Sequence, residues 1–306
     1  MIEIVGITTT GTYPSWTDYC VASMYNLVDK IVVVNAGYDI NNPESGAIHR
    51  LERDHNLLSK IDINDKIVEF TPTMENIENV FKTTCKKGQD EFGKSTSMTL
   101  ATQIAHKLFE TSLPHFILKL DSDQLLYNST RQKLIDETVK THPYRTGFRF
   151  SQYADYLHDF KHIDYIPDEF TNDGALFYKS IPNQGYRGQG SPGYINVDQQ
   201  QIYTVRTAHM RRIPPKDIEP AEYHFKRSWY YTYAQNSIME HKYNVSTGKK
   251  MTDEQVMEFA HKETVRLLEH KGSLIPTGKQ NCDVPIPYEM PLVCKMTPLE
   301  YIKKGY

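Results

Sequence analysis

The chain has 306 residues, 39% hydrophobic and 24% charged, enough for a sizeable core in one large α/β domain or two small ones and too apolar for global disorder. Its 35 Lys and Arg against 38 Asp and Glu give a formal net charge of -3, which argues against a dedicated nucleic-acid binder while allowing a local basic patch. Cys20, Cys85, Cys282 and Cys294 form no CxxC pair, so neither a zinc ribbon nor a disulfide framework is expected.

The first elements alternate strand and helix. "EIVGITTT" (3–10) is β-branched and ends in polar residues. "SWTDYCVASMYNLVD" (15–29) places Trp16, Tyr19, Cys20, Ser23, Met24 and Leu27 at helical spacing, with Ser15 and Thr17 as N-cap candidates. "KIVVVNAG" (30–37) is a continuous apolar strand of the kind buried on both faces of a parallel sheet. A helix is expected over 46–61, a strand over 66–72, a longer helix over 95–113, and a fourth strand over "FILKLD" (116–121). This order predicts an α/β fold, a mostly parallel sheet with helices on both faces.

After residue 140 the rhythm changes. Strands are expected within 144–153 and 174–181. The four glycines of "NQGYRGQGSPGYINVD" (183–198) suggest a flexible loop. An amphipathic helix is expected over 253–272, closed by Gly272. The Pro-rich tail from Ser273 reads as extended chain over the surface. The N-terminal stretch has no basic leader and no segment reaches the roughly 20 apolar residues of a membrane span, so a soluble, cytoplasmic protein is expected.

Ligands of open parallel sheets bind outside the carboxyl ends of the strands. Three such ends carry polar groups here: "TTTGTY", "NAGYD" and "DSD". Asp121 and Asp123 are like charges separated by a single residue, and a turn would bring both carboxylates to one point. A hard cation, Mn²⁺ or Mg²⁺, bridging carboxylates to substrate phosphates would offset that repulsion. The bland alternative is a solvated Asx-turn.

The segment running from "SWTDYCVASMYNLVDKIVVVNAGYD" to "FILKLDSDQLLY" resembles the family 2 nucleotide-sugar glycosyltransferases of the GT-A fold, Rossmann-like proteins with a D-x-D motif. The resemblance covers about residues 1–130 well and the rest loosely. It implies a nucleotide-sugar-binding half over 1–130, an acceptor-binding and catalytic half over 131–250, and a C-terminal helix and tail over 251–306. It places Thr8 and Thr9 near the nucleotide base and ribose, and Asp39 near the uridine or its equivalent. Asp121 falls toward ribose and phosphate, Asp123 toward the metal. Asn35 stands where the family usually has aspartate, and Tyr38 fills a slot often small or polar; both bear on the nucleotide.

In the second half the resemblance points to Asp198 as the base that deprotonates the acceptor, with Asp173 and Glu222 as competitors. His224 fits the order of a third metal ligand, with His209 as a rival, and Lys226 and Arg227 would neutralise the departing diphosphate. The implied activity is metal-dependent transfer of a sugar, with inversion, from a UDP- or GDP-sugar to a hydroxyl of a saccharide, lipid-linked or protein acceptor. Peripheral membrane association is compatible with this; a nucleic-acid partner is not expected. P-loop, dinucleotide-binding, G-x-S-x-G and H-E-x-x-H motifs are absent. A sugar nucleotidyltransferase would need a basic loop after the first strand, and "TTTGTYPSW" has none. A non-catalytic saccharide-binding protein is the remaining alternative.

Overall fold

Glycine at position 6 sets the first strand against the first helix. In the computed structural model, a Cβ on Gly6 would stand 2.7 Å from the sulfur of Met24, so only a bare strand lets the helix approach this closely. The structure describes residues 2–10, 16–35, 56–73, 75–76, 92–109, 115–127, 147–150, 152–155, 163–166, 176–180, 184–187, 191–196, 201–204, 210–212, 222–225, Glu258, Lys262 and 291–306.

The expected alternation is present. Strand β1 (Glu3–Thr10) leads to helix α1 (Thr17–Tyr25) and β2 (Lys30–Asn35). Helix α2 (Asn56–Ile61), β3 (Ile67–Phe70), α3 (Phe92–Leu108) and β4 (His115–Lys119) follow. Short strands come next: β5 (Gln124–Leu126), β6 (Gly147–Arg149), β7 (Gln152–Asp155), β8 (Ile163–Ile166) and β9 (Leu176–Lys179). Strands β10 (Gln184–Arg187), β11 (Ser191–Asn196), β12 (Gln201–Thr204), β13 (Met210–Arg212) and β14 (Glu222–Phe225) follow among the described residues.

Two compact units divide the chain. The first comprises Met1–Gln152, Pro167–Tyr223 and Glu289–Tyr306; the second comprises Tyr153–Ile166 and His224–Tyr288. The first unit holds a seven-stranded sheet in the order β13-β6-β9-β4-β1-β2-β3. Strands β4, β1, β2 and β3 run parallel, as do β13 and β6, while β9 is antiparallel to both its neighbours. Helices cover both faces. Val5 and Ile7 point into a core with Met98, Ala101 and Ala105 of α3, whereas Gly6 and Thr8 face Met24 and Cys20 of α1. This two-residue alternation is what a strand covered on both sides requires. Each aliphatic side chain buried in such a core contributes about 1.5–3 kcal/mol.

Helix α1 starts at Trp16 in the N-cap position, without a side-chain cap, rather than at Ser15 or Thr17 as anticipated. Thr17 is already helical. The helix start is favoured instead by Asp18 in the first turn, whose carboxylate also accepts from the Tyr19 N–H at 3.0 Å. The other end of α1 is tied to the α2–β3 turn. Lys66 donates to the carbonyls of Tyr25 and Val28 at 3.1 and 2.9 Å, and the Tyr25 hydroxyl donates to Asp62 at 2.7 Å. Asp62 also accepts from the N–H groups of Lys66 and Ile67.

The glycine-rich stretch is not a loop over most of its length. Strands β10, β11 and β12 form an antiparallel sheet in which Gly185 pairs with Gly193 and Ile195 with Ile202. Interspersed Tyr and Ile favour strand strongly enough to outweigh the glycines. The end of the tail is likewise helical. A 3-10 turn (Leu292–Lys295) precedes α4 (Pro298–Lys303), which packs on α1 with Tyr301 and Ile302 buried. Pro298 sits in the first turn of α4, where its missing N–H costs nothing. Thr297 and Glu300 close a reciprocal capping box. Of the helix expected over 253–272, Glu258 and Lys262 are described; both are helical and paired at 2.7 Å. Among the described residues no helix is long and apolar enough to cross a membrane.

Candidate functional site

The sheet reverses its direction of growth at β1: the chain moves outward through β2 and β3, then returns to place β4 on the other flank of β1. Such a switch point leaves a crevice at the carboxyl ends of the two parallel strands. Register puts Ile7 beside Lys119, so Thr8 and Thr9 on one side adjoin the segment from Leu120 onward on the other. The N–H of Leu120 continues the ladder, donating to the Ile7 carbonyl at 3.1 Å.

Thr8 is fully buried and turned toward α1, its hydroxyl 3.9 Å from the Cys20 sulfur. Thr9 lies at the strand's polar end and is largely buried. Thr8 thus forms part of the crevice floor. At the end of β2 the Asn35 amide donates to Glu69 and Thr71, each at 2.9 Å. An aspartate there would face Glu69 with like charge, which accounts physically for the amide at this position.

Residues Asp121 to Gln124 form a tight turn between β4 and β5. The Gln124 N–H donates to the Asp121 carbonyl at 2.9 Å, and the Gln124 side-chain oxygen accepts from the Asp121 N–H at 2.6 Å. The Cys20 thiol donates to the same Asp121 carbonyl at 3.3 Å. One turn further along α1, the Ser23 hydroxyl accepts from the Leu126 N–H at 3.2 Å and donates to the Cys20 carbonyl. Helix α1 therefore holds the turn from beneath, and Gln124 is fully buried in that role.

The like-charge problem of Asp121 and Asp123 has an answer within the chain. Lys119 Nζ lies 2.8 Å from Asp121 Oδ1, with the lysine side chain 0% and the aspartate side chain 12% exposed. Lys119 is the last residue of β4 and Asp121 opens the turn that follows, which brings the ammonium and the carboxylate together. A lone lysine in the apolar run "FILKLD" was the sequence signal for this pair. Asp123 is only partly buried. Glu222, at the start of β14 and within the same unit, is fully buried. Burial pushes the Cys20 thiol far up, and the charges of Asp123, Asp121 and Glu222 push it the same way, so three carboxylates share the surroundings of this one thiol. Tyr127 and Tyr223 meet edge to face, 6.3 Å between ring centres, in the same region.

Of the remaining candidates, His224 is buried on β14 and belongs to the second unit. Asp39, Asp173, Asp198, His209, Lys226, Arg227 and Tyr38 lie outside the described residues. Among the described residues no group of three or more His, Cys, Asp or Glu is disposed to hold a metal ion.

No family model matches the chain, and no curated protein matches it. Two solved structures are similar in part. Mouse xyloside xylosyltransferase 1, apo form, is 11% identical over 58% of this chain and 67% of its own, with a TM-score of 0.30. The galactosyltransferase LgtC, in complex with donor and acceptor sugar analogues, is 12% identical over 86% of this chain and 96% of its own, also with a TM-score of 0.30. Similarity at that level defines no activity for this chain, and the architecture above rests on its own strand order.

Proposed function

We propose that this chain is a GT-A glycosyltransferase that moves a sugar from a nucleotide diphosphate to a hydroxyl acceptor with inversion. One observation carries the reading: the Asp121–Gln124 turn stands at the switch point of the parallel sheet, beside Thr8 and Thr9, where open sheets of this kind bind nucleotides. The sequence resemblance over residues 1–130 supports the same assignment from the motifs.

Asp123, partly exposed beside an already neutralised Asp121, offers hard oxygen donors, and Mn²⁺ or Mg²⁺ shared with the diphosphate fits that chemistry. When bound, such a cation stabilises negative charge on the leaving phosphate. The chain's own groups do the rest. Thr9 and Asp39 would orient the nucleoside, with Thr8 supporting the strand end beneath it. Asp198 would take the proton of the acceptor hydroxyl as its oxygen bonds to the anomeric carbon. The bond from that carbon to the diphosphate breaks in the same displacement, and the electron pair leaves with the nucleoside diphosphate. Lys226 and Arg227 would meet the charge of that leaving group.

Isothermal titration with UDP and GDP, with and without Mn²⁺, tests the reading. Binding that strengthens with Mn²⁺ and loses that gain in Asp123→Ala is expected. Binding indifferent to both chelator and Asp123→Ala would sink the metal-assisted transferase and favour a non-catalytic saccharide-binding protein. Proton NMR of a transferred sugar reads the anomeric outcome directly.

A further inference from the structure

Helix α3 is fastened to β9 and its continuation by two polar contacts one helical turn apart. The Thr102 and Tyr178 hydroxyls lie 3.3 Å from one another, and one turn on His106 Nδ1 lies 2.9 Å from Ser180 Oγ. One such step rises about 6 Å along the helix and about 6.8 Å along the strand, so the two spacings nearly match. Ser180 prolongs β9, its N–H donating to the His115 carbonyl at 2.8 Å. The outer contact belongs to a closed ring of side chains at the amino ends of β1 and β4. Phe109 stacks on the His115 ring, 4.3 Å between centres and 3° from parallel, and His106 meets Phe109 edge on at 6.4 Å. His115 Nε2 lies 3.6 Å from Glu3 Oε2, and Phe109 itself packs against the apolar core under α3.

The inner contact joins two hydroxyls, whereas the outer one is built on an imidazole. A neutral imidazole and a hydroxyl can bond in either direction, and a protonated ring can still donate to Ser180. What protonation adds is a cation in a half-buried place that faces a second histidine. Burial, and after it the neighbouring His115, hold His106 below its ordinary value of 6.5, against the preference of a helix C-terminus for cations. Of the other charged groups on the packed elements, Glu3 faces His115, Lys107 and Lys179 are exposed, and Lys30 of β2 donates to the Asp65 carbonyl. Arg187 lies on β10, which packs on α3 as well.

We propose that this seam is an acid-sensitive latch: protonation of His106 frees the C-terminal turn of α3 from Ser180, while the Thr102–Tyr178 contact keeps the preceding turn in place. The released turn takes up a proton more readily than the latched one. Stability of the latched form is therefore complete above about pH 6.5 and is lost as pH falls below that value. His115 opens β4 and the Asp121 turn follows its other end, so the latch lies at the end of the sheet away from the crevice.

Native-state hydrogen exchange on the full chain, corrected for the intrinsic effect of pH on exchange, reads the latch directly. Between about pH 7.5 and about pH 5, protection of the Ile104 to Leu108 amides should fall about threefold or more, with Val32 to Val34 of β2 changing less than about twofold. His106→Gln keeps a hydrogen-bonding side chain toward Ser180 and cannot titrate, so the fall should vanish. His115→Gln removes one of the two causes that oppose the charge, so the fall should shrink without vanishing. NMR of ring-labelled histidines adds a readout that needs no change at His106: its midpoint should lie below 6.5 in the wild type and move toward 6.5 in His115→Gln. If His106→Gln fails to fold, the wild-type exchange and the NMR midpoint decide. Wild-type protection that ignores pH, an undiminished fall in His106→Gln, or a wild-type midpoint at or above 6.5 overturns the latch.

Discussion

The thiol of Cys20 donates to the main-chain carbonyl of Asp121 at 3.3 Å, joining α1 to the turn after β4 across 101 positions of sequence. This cysteine is a structural donor. Its sulfur is fully buried, and both burial and nearby carboxylates disfavour the thiolate.

Native-state alkylation should therefore spare it. Cys294 is only half-buried, and burial pushes its thiol up to about 12, so its reaction is slowed rather than blocked. At pH 8 a thiol with that pKa is ionised to roughly one part in 10⁴, and the thiolate is the reactive form. Treatment of folded protein with iodoacetamide, followed by peptide mass mapping, should leave Cys20 unmodified and label Cys294 slowly, and urea should speed both. Fast labelling of Cys20 in the native chain would mean that α1 is not seated on the turn as described.

Gly6 should tolerate no larger residue without cost. A Cβ there meets the Met24 sulfur at 2.7 Å and the side chains of Ile31 and Val28 at 3.5 Å. Met24 is flexible but fully buried, so its retreat must displace other core atoms. Gly6→Val is expected to destabilise by about 1–3 kcal/mol through overpacking, Gly6→Ala by less. Urea midpoints measure this. Adding Met24→Ala to Gly6→Val should cost less than the two single changes summed, since the two side chains compete for one volume.

Stability at alkaline pH should depend on Tyr25. Burial first, and then its hydrogen bond to Asp62, push the phenol up to about 12 from an ordinary value near 10. The folded state thus holds this proton more tightly than the unfolded state. The associated stability is complete below about pH 10 and is lost as pH rises from there through about 12. Tyr25→Phe should lower stability at pH 7 by about 1–2 kcal/mol, since Asp62 and the Asn64 N–H lose a partner. The gap between variant and wild type should narrow on titration from pH 10 to 12. A constant gap across that range would count against the assignment of the shift to Tyr25.

The alternating elements of the first half were legible because strand and helix periods differ, and "KIVVVNAG" and "FILKLD" are apolar in the way parallel strands demand. Asp121 and Asp123 were legible as a pair at a strand end. Part of their compensation was passed over: Lys119, two residues earlier, forms an ion pair with Asp121. The buried Gln124 that closes the turn left no signal, because a glutamine after two aspartates reads as ordinary loop. Strands β10 to β12 were hidden by counting glycines without weighing the tyrosines and isoleucines between them. Helix α4 did announce itself: "TPLE" combines a Thr N-cap, a proline in the first turn and a glutamate three residues on, and the density of prolines upstream obscured it.

Helix α1 is clasped by the far end of the chain: the Asn26 amide donates to the carbonyls of Ile302 and Tyr306, the latter 280 positions away. On a ribosome elongating at about 5–20 residues per second, α1 would wait roughly 14–56 s for the helix that covers it. During that interval the surface destined for Tyr301 and Ile302 stays open to solvent. The helix that supports the crevice from below is made long before the helix that closes over it.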